Sequence, residues 1–318
     1  MEKDRRGRRE PGGNSPRIFS VSSVSSAVPG RLLVLALVFN LLFACPAPAQ
    51  WPWQLLQLLN PDGRIDQSLV TECSGLVQSL RYQGIFWALG DSGSGAVIVP
   101  ITAKGDLAPG WTGPVRVEGW KNYDWEDLAL DGRGNLIIAD VGNNRGRRKQ
   151  LMLHFVSEPK PGTTSVRPDR TLRVHYDDQI GASPDFDCEA VFCADDKIFF
   201  LTKRQSDGQT ALYRLSGDSQ KRSNPLRRVS SFDIDGLVTA ADVSPDGKLV
   251  AVLTYTSVWV FDYDPRKGDI FSGRVRRAPF FALQSEAVAF DGNQSLVVAN
   301  EQGQLFRLRL ADFETVRP

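Results

Sequence analysis

Acidic residues recur where short apolar runs of this chain begin and end. Glu126 stands before one such run, and Asp140 closes the run that follows it. Carboxylate oxygens are the ligands that hard cations prefer, and calcium accepts them in irregular arrangements. These acids can therefore form a metal site if the fold brings them together.

The stretch between these two acids predicts a β-hairpin. Residues 128–130 and 136–139 are apolar, and the turn sequence Asp-Gly-Arg-Gly occupies positions 131–134 between them. Antiparallel strands place the start of the first beside the end of the second. Glu126 and Asp140 are thus expected at the same end of the hairpin.

Similar units begin near positions 72, 126, 189, 241 and 286. Periods of about 45 to 63 residues in a chain of short alternating strands predict a β-propeller, in which each repeat is one four-stranded blade. The fold class is therefore all-β with five blades, or six if residues 105–122 contain further strands. We expect residues 64–70 to close the ring by pairing with residues 304–310, because closure removes an open sheet edge.

In a propeller the first strands line a central channel, so their starts gather at one mouth with the ends of the second strands. The residues predicted there are Glu72, Asp91, Glu126, Asp127, Asp140, Glu189, Lys203, Asp242, Glu286 and Glu301, with Asn143, Asn144, Tyr255 and Asn300 nearby. So many carboxylates around one lysine require neutralisation by protons or cations. Calcium is the cofactor that this set of oxygen ligands favours.

A structural role for the recurring glutamates is the alternative. Each could accept hydrogen bonds from the backbone of the next blade and so act as a repeated clip. Asp91 and Asp140 precede polar loops, which favours function for these two.

Other chemistries find less support. Cys73, Cys188 and Cys193 form no zinc motif and are expected to be buried apolar groups. His154 and His175 fall in predicted outer strands, far from the mouth, and Ser92 and Ser94 lack the helix of a nucleophile elbow. Arg145 begins a basic run that could contact a phosphate, although charge runs of this kind favour a solvated hairpin loop.

The N-terminal 49 residues resemble an export signal. An apolar run at 32–44 follows Arg31; it is too short to span a bilayer but suits a signal-peptide core. Cleavage after Ala49 is favoured, with lipid modification at Cys45 or an uncleaved anchor as alternatives. The expected organisation is a leader at 1–49, a connector at 50–63 and a single propeller domain at 64–318, secreted or held in the cell envelope.

Charge gives no reason to expect nucleic acid as a partner. Without the leader, the 38 basic and 37 acidic residues fall to 31 and 34, a net charge of about −3. The expected partner is a small or phosphorylated molecule at the mouth, or a protein, and the expected state is a monomer.

Several motifs resemble those of a known group of proteins. D-x-E-D-L at 124–128, A-D-V-G-N-N-R at 139–145, D-x-E-A-V at 187–191 and V-T-A-A-D-V-S-P-D-G at 238–247 resemble uncharacterised secreted bacterial propellers related to the β-propeller phytases. The resemblance implies calcium in and over the channel and hydrolysis of phosphoesters. It carries over to Glu126, Asp127, Asp140, Asn143, Glu189, Lys203 and Glu286. The chain departs from it in having five repeats instead of six and in having Ala241 at a repeated Glu position.

Two functional hypotheses follow. The first is an exported, non-catalytic propeller that binds a ligand or protein at an acidic, calcium-binding mouth. The second is a calcium-dependent phosphoester hydrolase, in which Lys203 or Arg145 takes charge on the phosphoryl oxygens.

Overall fold

The computed structural model describes residues 60–148, 150–204 and 206–317, which belong to one compact unit. These residues form strands and three short 3₁₀ helices, and no α-helix occurs among them. The strands are rich in Val, Ile, Leu and Phe, which suit a pleated surface covered on both sides. The all-β prediction is confirmed.

Most strands belong to antiparallel meanders that follow one another along the chain. After β1 (Gly63–Arg64), the first meander contains β2 (Cys73–Gln78), β3 (Ile85–Gly90), β4 (Val97–Thr102) and β5 (Val115–Val117). The second contains β6 (Trp125–Leu130), β7 (Asn135–Asp140), β8 (Leu151–Ser157) and β10 (Arg170–Tyr176), with β9 (Ser165–Val166) between its last two strands in sequence. The third contains β11 (Cys188–Ala194), β12 (Lys197–Thr202), β13 (Gln209–Leu215) and β14 (Ser223–Asp233).

The remaining elements complete the described chain. The fourth meander contains β15 (Val238–Val243), β16 (Leu249–Thr254), β17 (Ser257–Asp262) and β18 (Val275–Pro279). The fifth contains β19 (Ser285–Asp291), β20 (Ser295–Asn300) and β21 (Gln304–Arg309), and β22 (Glu314–Arg317) follows. The 3₁₀ helices are Pro184–Phe186, Ile270–Ser272 and Leu310–Asp312.

The first strands of the meanders form a closed ring. Strand β2 contacts β6, β6 contacts β11, β11 contacts β15, β15 contacts β19, and β19 returns to β2. Apolar side chains of successive meanders pack between the sheets; Phe232 of the third and Trp259 of the fourth, for example, meet edge to face at a centroid distance of 5.5 Å. A closed ring of radial sheets around a central channel is the β-propeller arrangement that the repeats predict.

The N-terminal strand joins the last meander, as expected, but over a shorter length. Strand β1 pairs with β21 through Gly63↔Leu305 and Arg64↔Gln304. The prediction of a strand over 64–70 is wrong beyond Arg64, because Asp66 starts a turn there. Its carbonyl oxygen accepts hydrogen bonds from the N–H groups of Leu69 and Val70, and its side chain accepts one from Ser68.

Outer strands pair in ways that sequence reasoning did not anticipate. Strand β10 pairs in parallel with β14, so the second and third meanders form one eight-stranded sheet. Strand β9 pairs in parallel with β5, and β22 pairs with β18. The stretch 105–122 contributes β5 and an isolated bridge between Ile101 and Leu107, which complete the first meander without adding another.

The predicted leader at 1–49 and most of the connector lie outside the described residues. Within the part that is described, no helix is long and apolar enough to cross a membrane.

Candidate metal centre at the channel mouth

Each first strand contains a β-bulge at its second residue. The pairing register shifts between Cys73 and Gly75 in the first meander, and at the equivalent point in the other four. The residues in the bulges are Ser74, Glu126, Glu189, Thr239 and Glu286. A bulge re-aims its side chain, and here it does so at the channel mouth.

The bulge residues perform two different tasks. Ser74 Oγ donates to the carbonyl oxygen of Trp125, and Thr239 Oγ1 donates to that of Ser285, both at 2.9 Å across to the next meander. These hydroxyl groups are the interblade clips that we considered for the glutamates. Glu126, Glu189 and Glu286 make no such backbone bond among the described residues; Glu189 and Glu286 accept hydrogen bonds from side chains instead.

The bulges also correct the alignment of the repeats. Ser74, and not Glu72, is equivalent to Glu126, because the shift in β2 falls two residues later than the sequence suggested. Thr239, and not Ala241, occupies the same position in the fourth meander. Glu72 is instead equivalent to Asp124 and Asp187, which each stand two residues before a bulge glutamate. Its side chain is exposed.

Three carboxylates of the first two meanders form a cluster. Oxygen atoms of Asp91, Asp124 and Glu126 all lie within 4.8 Å of one another. Glu126 is only 6% exposed, and its carboxylate has no hydrogen-bond partner in the part of the chain that the structure describes. A buried carboxylate without a partner is costly unless a proton or a cation compensates it.

Gly142 makes room for this cluster. A β-carbon at this position would lie 2.0 Å from Glu126 Oε1 and 2.5 Å from Asp124 Oδ2. Any larger residue would therefore displace both acids. This glycine belongs to the A-D-V-G-N-N-R motif, so part of that motif serves to admit the carboxylates.

Burial and crowding raise the pKa values of the cluster acids. Burial raises the pKa of Glu126 well above its usual range, and the charges of Glu189, Asp91 and Asp124 raise it further. Burial raises the pKa of Asp124 to about 6, although Arg148 acts in the opposite direction. The cluster thus binds protons readily and is suited to exchange them for a divalent cation.

The opposite part of the mouth contains a chain of paired groups. Lys203 Nζ donates to Glu189 Oε2 at 3.0 Å and to the Tyr255 hydroxyl at 3.1 Å, and that hydroxyl donates to Glu286 Oε1 at 2.8 Å. Burial lowers the pKa of Lys203, but Glu189 and Tyr255 outweigh this and leave the pKa raised. Lys203 is therefore a fixed cation, held by Glu189 of its own meander and by Tyr255 of the fourth.

Asp187 is a further acid beside this chain. Burial raises the pKa of both Asp187 and Glu189, and the charge of Asp187 raises the pKa of Glu189 further, while Lys203 acts in the opposite direction. Asp187 Oδ1 also accepts a 2.6 Å bond from the Asn143 backbone N–H. The other oxygen, Asp187 Oδ2, is buried and has no hydrogen-bond partner among the described residues, so a proton there would offset the cost of its burial.

Asp140 and Asn143 hold the loop that follows β7. Asp140 Oδ1 forms an ion pair with Arg148 and accepts the backbone N–H of Asp124 at 3.2 Å. Asn143 Oδ1 accepts the Arg148 backbone N–H at 2.7 Å. Asp140 is thus the equivalent of Thr202, Thr254 and Asn300, whose side chains also accept loop or strand N–H groups. These contacts make Asp140 and Asn143 positioning residues outside the three-carboxylate cluster.

Asp127 and Asp242 are backbone clips. Asp127 is fully buried; one oxygen accepts the N–H of Leu128 at 2.8 Å, and the other accepts those of Val191 at 2.9 Å and Ala241 at 3.3 Å. Asp242 Oδ2 accepts the N–H of Phe290 at 2.7 Å. The prediction that Asp242 lies at the mouth is wrong, because it borders a cavity with the hairpin-turn residues Asp131 and Asp195 at the other end.

Glu301 and Arg145 complete the predicted set. Glu301 accepts a 2.8 Å bond from Gln284, and burial together with Glu286 and Glu72 raises its pKa to about 7. Arg145 is exposed in the loop, and no ion pair of it occurs among the described residues. The basic group that enters the site from this loop is Arg148.

Asp124, Asp187 and Arg148 are not among the residues predicted from the sequence, although a signal for the acids was present. Both belong to an Asp-x-Glu triplet, at 124–126 and 187–189. Alternation alone would place the two acids of each triplet on one face of a strand. Arg148 gave no such signal, since its neighbours in the loop are also basic.

Comparisons with known proteins give structural likeness alone. No protein-family description matches the chain, and no curated protein matches it. Among solved structures it is similar to virginiamycin B lyase from Staphylococcus aureus, with 12% identity and a TM-score of 0.39 over 75% of this chain and 66% of that one. It is also similar to hydrazine synthase of Kuenenia stuttgartiensis, with 12% identity and a TM-score of 0.42 over 75% and 72%. The chain spans just under two thirds of the length of the first. At these values neither protein informs on function.

Proposed function

We propose that this protein is an exported five-bladed β-propeller, each meander being one blade, that binds a ligand at a calcium-holding channel mouth. The observation that carries the proposal is the convergence of Asp91, Asp124 and Glu126 on one point, with the Glu126 carboxylate buried and unpartnered. Three hard oxygen donors without thiolate or imidazole suit calcium. The resemblance to phytase-like propellers supports the same reading.

Binding without catalysis is the function we favour. Lys203 is engaged by Glu189 and Tyr255, which suits a fixed electrostatic anchor for an anionic ligand better than a group that must move. His154 lies nearer the mouth than we expected from its strand, with Nε2 3.9 Å from Asp140 Oδ2, but it has no exposed surface from which to act as a base on a ligand.

Thermal unfolding with and without calcium tests the metal. An extracellular site with a dissociation constant on the order of 10⁻⁴ to 10⁻³ M would gain about 1.4 to 2.7 kcal/mol at about 10 mM calcium. The melting temperature should then rise by roughly 3 to 10 °C. No rise in melting temperature, together with no bound ion in elemental analysis, would contradict the metal site and leave the cluster with a structural role only.

Phosphoester hydrolysis is the second candidate, supported by the calcium-type cluster and the cation Lys203 in the same mouth. Lys203 would take charge on the phosphoryl oxygens of the substrate. A panel of phosphomonoesters, assayed with and without calcium, decides between binding and hydrolysis. Calcium-dependent turnover that Lys203→Met abolishes would establish the enzyme.

Export is proposed from the leader alone. N-terminal sequencing of exported protein should begin at Gln50. A lipid-modified Cys45 at the terminus would indicate a lipoprotein, and Met1 in the exported fraction would contradict cleavage.

A further inference from the structure

A cavity lies beside the carboxylate cluster and shares a wall with it. Its volume is about 750 Å³, within the range of small-molecule sites, and segments 94–97 and 116–122 line it together with Arg167. Asn122 forms the shared wall. Its Nδ2 donates to the carbonyl oxygens of Gly90 at 2.8 Å and Asp91 at 2.9 Å, and its Oδ1 accepts from the Trp125 N–H at 3.0 Å.

The floor of the cavity is held by backbone hydrogen bonds. The N–H of Val117 donates to Ala96 at 2.8 Å, and those of Arg116 and Glu118 donate to Thr164 and Val166. Strands β5 and β9 thereby fix the positions from which the lining side chains project. A fixed frame lowers the entropic cost of binding.

Trp120 gives the cavity an apolar surface. Its ring packs on His154 at a centroid distance of 4.3 Å, yet 36% of the residue remains exposed. Because His154 supports one side of the indole, the exposed surface has a fixed orientation. A flat apolar surface with a polar edge suits the C–H face of a sugar ring.

The charges around the indole are mainly positive. Arg116, Lys121 and Arg167 line the cavity with one acid, Glu118. Glu118 pairs with Arg167 at 2.8 Å and with Arg116 at 3.2 Å, whereas no ion pair of Lys121 occurs within the described residues. Because three cations outnumber one acid, the cavity favours an anion. The neighbouring carboxylate cluster, in contrast, would repel one.

We propose that this cavity binds an anionic carbohydrate, a sugar ring carrying a carboxylate or a phosphate, with its ring on Trp120 and its anion at Lys121 and the arginines. The inference rests on the proposed ligand-binding function and names the ligand class. A ligand in this cavity would lie next to the carboxylate cluster, with Asn122 between them.

Isothermal titration calorimetry on the mature protein tests the proposal with three probes. Digalacturonate supplies a carboxylate, trehalose 6-phosphate supplies a phosphate, and trehalose is neutral. At least one anionic probe should bind ten or more times tighter than trehalose, and the better of the two identifies the anion. Trp120→Ala and Lys121→Ala should each weaken that probe at least fivefold.

Matched variants separate binding from folding. Tyr123→Ala removes a neighbouring aromatic that is 64% exposed, and Arg133→Ala removes an exposed cation in a hairpin turn at the other end of the channel. Both should bind like the parent, and Lys121→Ala keeps the test valid if Trp120→Ala unfolds. The proposal is overturned if neither anionic probe binds tighter than trehalose, or if both cavity variants bind like the parent. If the anions fail to bind but calcium still raises the melting temperature, only the carbohydrate proposal is contradicted. If the anions bind but calcium does not raise the melting temperature, only the metal site is contradicted.

Discussion

At the residue scale, neighbouring acids of one strand have opposite roles. Glu126 extends into the mouth without a partner, while Asp127 accepts three backbone N–H groups from three meanders. The bulge between Trp125 and Asp127 separates them. Substitutions of the two should therefore affect different properties.

Substituting the cluster acids should remove the calcium response. We expect Glu126→Gln and Asp124→Asn to lose most of the melting-temperature rise at about 10 mM calcium, because each removes a charged oxygen ligand. Without calcium, Glu126→Gln should be at least as stable as the parent, since it removes a buried carboxyl group whose ionisation is unfavourable in the folded state. Differential scanning calorimetry measures both effects.

Glu301→Gln is the matched control for those variants. It removes a carboxylate from the same mouth but not from the cluster, so the calcium response should persist. Equal loss in all three variants would indicate a diffuse charge effect in place of a defined site. Gly142→Ala should act like the cluster variants, because its new methyl group displaces both acids.

The Asp127 clip predicts a calcium-independent loss of stability. Asp127→Asn keeps one acceptor oxygen for the N–H groups of Leu128, Val191 and Ala241, so at least one buried donor loses its partner. The expected cost is about 1 to 3 kcal/mol. Urea unfolding in calcium and in chelator should give the same difference, and a loss seen only with calcium would assign Asp127 to the metal site.

At the element scale, the ring closes through a very short strand. Strand β1 has two residues, and the turn at Lys104 and Gly105 covers its other side. A β-carbon on Gly105, whose φ is +90°, would lie 2.3 Å from the carbonyl of Arg64. Closure therefore depends on a glycine outside the closing strand.

Gly105→Ala should destabilise the fold more than a glycine change in open space. Gly84 has a similar φ of +73° but nothing within 4 Å of an added β-carbon, so Gly84→Ala measures the backbone strain alone. We expect Gly105→Ala to cost about 1 to 3 kcal/mol more, from the displaced strand. Equal unfolding free energies for the two variants would mean that β1 contributes little to closure.

The sequence predicted the positions of the strands far better than it predicted which residues at the strand starts are equivalent to one another. Apolar residues alternate along hairpins such as β6 and β7. This alternation revealed the repeat, and it predicted that the start of each first strand lies beside the end of the second. A bulge inserts one residue into that alternation without changing composition, so Ser74 and Thr239 were not recognised as equivalents of Glu126. The parallel pairing of β10 with β14 joins residues about 50 positions apart, and no local pattern encodes it.

At the scale of the whole molecule, the mouth brings together carboxyl groups whose ionisation is unfavourable in the folded state. Burial and mutual repulsion raise the pKa of Glu126, Glu189 and Asp124, the last to about 6, and that of Glu301 to about 7. These groups keep protons in the folded state at pH values at which unfolded carboxyls have lost them. The folded state therefore binds more protons between about pH 4 and 7.

Stability without calcium should accordingly fall as the pH rises through that window. The slope is up to about 1.4 kcal/mol per pH unit for each retained proton. Urea unfolding in chelator at pH 5, 6, 7 and 8 measures it, and calcium should reduce the slope because the cation replaces the protons. Stability that rises from pH 5 to 7 in chelator would contradict this account, and Glu126→Gln should flatten the curve.

The eight-stranded sheet makes the seams between meanders unequal in strength. Between the second and third meanders, Cα pairs from Arg173↔Ser223 to Tyr176↔Leu226 extend the backbone bonding across the seam. The seam between the first and second has only the shorter pairing of β5 with β9, and it has Asp91 on one side and Asp124 and Glu126 on the other. Under a stretching force we expect this seam to open before the seam between the second and third, and a cation bound by these three acids would act as a reversible mechanical fastener there.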